Sequence, residues 1–165
     1  MGGVKMKFKF ISILFIIILL TGCNNGIEPK EHLGEIYTVA LDSILLEDQA
    51  LNDNMAFIAI DMSNFEDLDA NSKEEILKYF KVTYKVEVMD ATFEQLKEMG
   101  LYNPDTYSLD GVLLKINKIE YKLNNSVLLE GSKYRSGLGA IGVEVKVHYE
   151  DKKWETEEIN LQWIS

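Results

Sequence analysis

The chain is poor in cysteine, proline, histidine and positive charge. Each shortage excludes something. Cys23 is the only cysteine, so no intramolecular disulfide can form and a disulfide-stapled scaffold is ruled out. Neither His32 nor His148 has a His, Cys or Glu partner at the spacing of a zinc motif, so no metal is expected. Only Pro29 and Pro104 occur, and the chain contains no repeat or low-complexity linker. Lys and Arg number 17 against 27 Asp and Glu, a formal net charge of −10. Such a surface repels a phosphate backbone, so a nucleic-acid partner is not expected. There is no G-K-[ST] for a P-loop and no G-x-S-x-G nucleophile elbow. The longest apolar run, Phe10 to Leu20, spans eleven residues including Ser12. That is well below the roughly 20 needed to cross a hydrocarbon core.

What is present begins at the N-terminus. Lys5, Lys7 and Lys9 precede the apolar run, the order of a secretory signal. Immediately after it stands Leu20-Thr21-Gly22-Cys23. This tetrapeptide resembles the lipobox of bacterial lipoproteins, and the resemblance covers residues 1–23. It implies cleavage after residue 22, diacylglycerol on the Cys23 thiol, and a place on the extracytoplasmic face of the bacterial cell membrane, held by the lipid anchor. Met6 serves as a start as well as Met1, since MKFKFISILF opens a signal by itself. Myristoylation is excluded, because its motif wants Ser or Thr where Met6 stands. Residues 23–165 would carry fourteen basic and 27 acidic residues, a net charge of about −13. Acyl chains, not charge, would then hold the protein to the bilayer.

The expected organisation is a signal peptide over 1–22, the lipidated cysteine and a short tether over 23–28, and one α+β domain over 29–165. Pro29 suits the first turn of a helix. Leu33, Ile36, Tyr37, Ala40, Leu41, Ile44 and Leu45 follow at helical spacing. MAFIAID, residues 55–61, reads as a buried strand. Ser72-x-x-Glu75 reads as a capping box before a short helix, and Val82, Tyr84, Val86 and Val88 as an alternating strand. Thr92-x-x-Gln95 opens a further helix that Gly100 closes. From Val112 onward the pattern is β, turning at Asn124-Asn125 and at Asp151-Lys152. The alternation changes phase near Asn117 and Glu157, where bulges would bend the sheet. Ile159, Leu161 and Trp163 are expected on one face. The fold class is a long N-terminal helix packed on a curved, mainly antiparallel sheet that ends in a four-stranded meander. The layout is loosely similar to NTF2-like and cystatin-like folds, without a shared motif.

Gly137-Leu138-Gly139-Ala140-Ile141-Gly142 spells G-x-G-x-x-G, the letters of a dinucleotide fingerprint. The fingerprint needs a helix after the glycines, with an acid about 20 residues on. VEVKVHY follows instead and alternates as a strand. No nucleotide and no other cofactor is expected. Two uses of the segment stay open. One is mechanical: a turn at Gly137 and Gly139 with positive φ, and close packing at Gly142. The other is a partner or anion site made by Lys133, Tyr134, Arg135, Gly137 and Gly139, with Lys133 and Arg135 on one face. In that second case the pair could equally serve to neutralise acids across the sheet. Asp67-x-Asp69-x-Asn71 starts like a calcium loop but lacks its glycine and terminal glutamate.

The resulting expectation is a binding or interaction module, an accessory, regulator or immunity-type protein with an envelope protein as partner and no catalytic residue. A solute-binding lipoprotein of an ABC transporter and a cell-envelope hydrolase using paired carboxylates are the alternatives.

Overall fold

The computed structural model describes residues 27–65 and 67–165. The expected signal segment 1–22 and Cys23, the expected lipidation site, lie outside the described residues. Seven strands form one open sheet in the order β2-β1-β4-β5-β6-β7, with β3 beside one end of β4. The strands are β1 Phe57–Asp61, β2 Glu87–Asp90, β3 Tyr102–Asn103, β4 Ser108–Tyr121, β5 Ser126–Ser136, β6 Gly139–Glu150 and β7 Lys153–Ile164. The helices are α1 Leu33–Leu46, α2 Ala70–Tyr84 and α3 Phe93–Glu98. This is the expected α+β class, with β4 to β7 as the four-stranded meander.

The apolar stripe of α1 does what its spacing requires. Ile36, Ala40, Leu41, Ile44 and Leu45 are fully buried. They join Val127, Leu129, Ile141, Val143, Val145 and Val147 of the meander in the main core. Each such Leu or Ile contributes about 1.5–3 kcal/mol by leaving water. The β1 end of the sheet is different. Ile58 and Ile60 face the main core, while Phe57 and Ala59 face a second cluster with Ala91, Leu96, Leu109 and Leu113. Strand β1 runs parallel to both β2 and β4 and is buried on both faces, as parallel strands are.

Both predicted phase changes are bulges. Ile116 pairs with Gly131 and Lys118 with Glu130, which leaves Asn117 extra in β4. Lys146 pairs with Glu158 and Val147 with Thr156, which leaves Glu157 extra in β7. Asn124 and Asn125 adopt φ of 61° and 55°, and Asp151 and Lys152 adopt 49° and 68°, the left-handed pairs that tight hairpins need. The capping box at Thr92 and Gln95 is present, and Gly100 has φ 73° beyond α3.

Two expectations fail locally. Helix α2 starts at Ala70, because Asp69 is the cap: its Oδ1 accepts from the Ser72 N–H at 2.8 Å. The helix then runs to Tyr84, past the alternating Val82 and Tyr84, and only Glu87–Asp90 is strand. Phe80 is buried and stacks on Tyr84 at 5.8 Å, and the Tyr84 hydroxyl donates to Asp42 of α1 at 2.5 Å. Those contacts hold the last turn in helix against its β-branched residues.

Candidate functional site

Strand β5 turns Lys133 and Arg135 to the helix side of the sheet and Tyr134 to the other, the alternation its sequence implies. The Lys133 side chain has no solvent exposure. Its Nζ donates to the carbonyl oxygens of Leu45 at 3.0 Å, Asp48 at 2.9 Å and Glu47, and to Asn52 Oδ1 at 3.1 Å. Asn52 Nδ2 also donates to the Leu45 carbonyl, at 2.7 Å. These are the acceptors at and just beyond the last turn of α1, which a helix leaves unpaired and slightly negative. Burial pushes the Lys133 ammonium down to about 8. Arg135 donates to the Leu51 carbonyl at 3.0 Å in the same connection. The two cations therefore secure the C-terminal end of α1. Lys133 is not available to an anion or a partner, which corrects its place in the candidate site. Neither cation forms an ion pair across the sheet: they meet main-chain carbonyls and the Asn52 side chain, and the acids nearest Lys133, Glu47 and Asp48, lie in the chain just after α1.

Tyr134 donates its hydroxyl to the Tyr107 carbonyl at 2.9 Å and packs against Phe93. Gly137 and Gly139 lie in a two-residue hairpin between β5 and β6, with Ser136 paired to Gly139. Neither takes positive φ, contrary to expectation. A Cβ on Gly139 would come within 2.8 Å of Ser136 Oγ and 3.1 Å of Leu51, side-chain ends that would have to shift to admit it. Gly142 lies under the Trp163 indole, where a Cβ would collide with the ring. Close packing is thus the use of Gly142.

What the hairpin offers outward is Leu138, 93% exposed at its tip. It adjoins the far end of β7, where Ser165 and Ala140 exchange main-chain hydrogen bonds. Strand β7 is an edge of the sheet. Its first half carries Lys153, Glu155, Glu157 and Glu158, the charges that discourage further strand pairing. Its second half, Ile159 to Ile164, has no charged side chain. Ile159 pairs with Val145, Leu161 with Val143 and Ile164 with Ile141, so all three face the helix side. A further bulge at Gln162 turns Trp163 to the opposite face, away from Ile159 and Leu161. Ile159, Leu161, Trp163 and Ile164 are each 38–67% exposed. The other edge, β2, is only four residues long and bears Glu87 and Asp90.

Among the described residues, one His/Asp/Glu cluster draws donor atoms within 4.8 Å of each other: His148, Glu150 and Glu155. The sequence concealed it, because Glu150 is two residues along the same strand face and Glu155 pairs with His148 across the hairpin. His148 Nε2 lies 2.9 Å from Glu150, while Lys153 Nζ already occupies Glu155 at 2.6 Å. His148 Nδ1 is buried without a partner. A metal on Nε2 would place the imidazole proton there with nothing to accept it, whereas metal-binding histidines have that second partner. The Asp67 segment offers no calcium loop either, since Asp69 is committed to capping α2.

Among the described residues, the carboxyls with displaced titration are all displaced downward. The Ser72 N–H holds Asp69 low, Lys118 and Lys122 hold Glu120 down to about 2, and Lys153 holds Glu155 low. At Asp61 burial works upward, but Lys115 and Ser63 outweigh it. These are ionised groups fixed in caps and ion pairs. None supplies the raised acid of a carboxylate-pair hydrolase.

No family model matches the chain, and no curated protein matches it. A solved structure described as a de novo designed protein with curved beta-sheet is similar over 75% of this chain and 99% of that one, at 13% identity and a TM-score of 0.29. A likeness at that score carries no argument about this protein.

Proposed function

We propose that this chain is a lipid-anchored extracytoplasmic binding module that takes an extended segment of another envelope protein along the second half of β7. The lipobox at Leu20 to Cys23 supports the anchor. The observation that carries the binding role is the uncharged, apolar half of an open edge strand on a chain this acidic. Large apolar side chains left outside a core mark interaction surfaces. An unpaired strand edge adds main-chain hydrogen bonds to that affinity, and alternate side chains select the partner. Leu138 at the neighbouring hairpin tip extends the same surface.

The test is photo-crosslinking in the protein's own membrane. A crosslinker replaces Leu161 in one variant and the exposed Thr83 of α2 in another. Support would be one protein joined at position 161, absent at 83, and lost when Ile159→Lys is added. Equal, diffuse products at both positions would overturn the β7 surface.

A further inference from the structure

The N-terminal turn and two hairpin tips meet at one end of the sheet. Residues Pro29–His32 form a 3₁₀ turn. Within it, Lys30 Nζ lies 5.6 Å from the centre of the Tyr121 ring. The His32 ring lies 6.3 Å from Tyr149 and 6.2 Å from Trp154. Tyr121 ends β4 at the first hairpin, and Tyr149 and Trp154 flank the second. The Tyr149 N–H donates to the Asn125 carbonyl at 3.1 Å, joining the two tips. Leu138 and Ile164 sit at the opposite ends of the same strands.

From this placement we infer that the end formed by the N-terminal turn and the two hairpins rests on the bilayer, with Tyr121 and Leu123 of the β4–β5 hairpin entering its interface. The inference rests on the lipid anchor at Cys23. Only three residues, Asn24 to Gly26, separate Cys23 from Ile27, which is packed against the main core. The four Cα-to-Cα steps from Cys23 to Ile27 reach about 14 Å when extended. An acylated Cys23 therefore draws this end, and no other, onto the membrane. The hairpin is built for that contact. Leu123 is 87% exposed at its tip and Tyr121 is 42% exposed beside it. Tyrosine favours the headgroup level, and a lysine such as Lys122 lays its stem along the apolar layer with its ammonium in water. No acid occurs from Tyr121 to Leu129. Segments 27–32, 120–125 and 150–153 together hold four lysines against five acids, whereas residues 23–165 hold fourteen basic residues against 27 acids. With Asp67, whose charge reaches Tyr121, the balance is four lysines against six acids, so this end carries only a small part of the net charge and an anionic leaflet repels it less than the rest of the surface. Resting here leaves Leu138 and the apolar half of β7 pointing away from the membrane.

The test uses the full-length protein, acylated in cells and reconstituted in phosphatidylethanolamine–phosphatidylglycerol vesicles. Acylation consumes the Cys23 thiol, so Leu123→Cys provides one labelling site and Leu138→Cys another. Each is labelled with an environment-sensitive fluorophore and challenged with nitroxide lipids. The expected result is blue-shifted emission at 123 with quenching several-fold greater than at 138. Protein that floats with the vesicles but reads as aqueous at 123 would overturn the inference and leave the anchor standing. Equal quenching at both positions would overturn it as well. Protein that fails to float would remove the anchor, and the inference with it.

Discussion

The Lys133 ammonium donates to the carbonyl oxygen of Leu45 at 3.0 Å, joining β5 to the last turn of α1 across 88 residues. It also takes the carbonyls of Glu47 and Asp48 and the side-chain oxygen of Asn52. One buried cation thus satisfies the end of α1 and the turn that leaves it.

Replacing it should be costly. Lys133→Met keeps the apolar stem and strands several buried carbonyls. We expect a loss of about 3 kcal/mol, read as a lower urea midpoint with an unchanged slope. The same substitution tests the titration. Burial lowers the folded value to about 8 from the ordinary lysine 10.5. Between those values the unfolded chain binds more protons, so stability rises with pH. The cost of burying the charge is complete below about 8 and fades as pH climbs toward 10.5. Wild type should gain on Lys133→Met across that window. A flat difference would show that the carbonyl cage stabilises the charged form as fully as water does.

The Asp61 carboxylate is 4% exposed and accepts from Lys115 Nζ at 2.8 Å, the Ser63 hydroxyl at 2.5 Å and the Ser63 N–H at 3.0 Å. Its pKa is lowered below the ordinary 3.8, so its stabilisation is present above that value and lost as pH falls beneath it. Asp61→Asn should cost about 1–3 kcal/mol at neutral pH. The gap to wild type should close below pH 4, as thermal melts across acid pH would report.

Gly142→Ala should expel the Trp163 indole from the face of β6, at a cost of about 1–3 kcal/mol. Near-UV circular dichroism would report the lost ring order. Adding Trp163→Ala should recover most of the stability. If Gly142→Ala alone is neutral, the indole does not need that space.

Leu161→Lys should change stability by under about 0.5 kcal/mol, because the side chain is already 46% exposed. It should abolish partner crosslinking from a reporter at position 159. A large fall in the melting temperature instead would assign Leu161 to the core rather than to a surface.

Features carried by local chemistry were legible in the sequence. The stripe of α1, the two asparagines with left-handed φ, the capping box at Thr92, and the bulges at Asn117 and Glu157 all follow from neighbours in the chain. A bulge shows in sequence because it shifts the alternation of everything after it. The bulge at Gln162 escaped because Trp163 is as apolar as the residue it displaces, so the letters keep alternating while the face changes. The alternation from Val82 to Val88 misled for the opposite reason, since packing against α1 holds its first half in helix. The likeness to a lipobox rests on residues 20–23 alone. Tertiary structure decided the rest. Lys133 looks like a surface cation until the sheet brings it to the carbonyls of α1. His148, Glu150 and Glu155 become neighbours only when β6 and β7 pair. The apolar half of β7 is a surface because β7 is an edge of the sheet formed by the described residues. Chain order specifies periodicity, caps and turns through bonds a few residues long, whereas burial, partnership and the position of an edge depend on distances the fold alone sets.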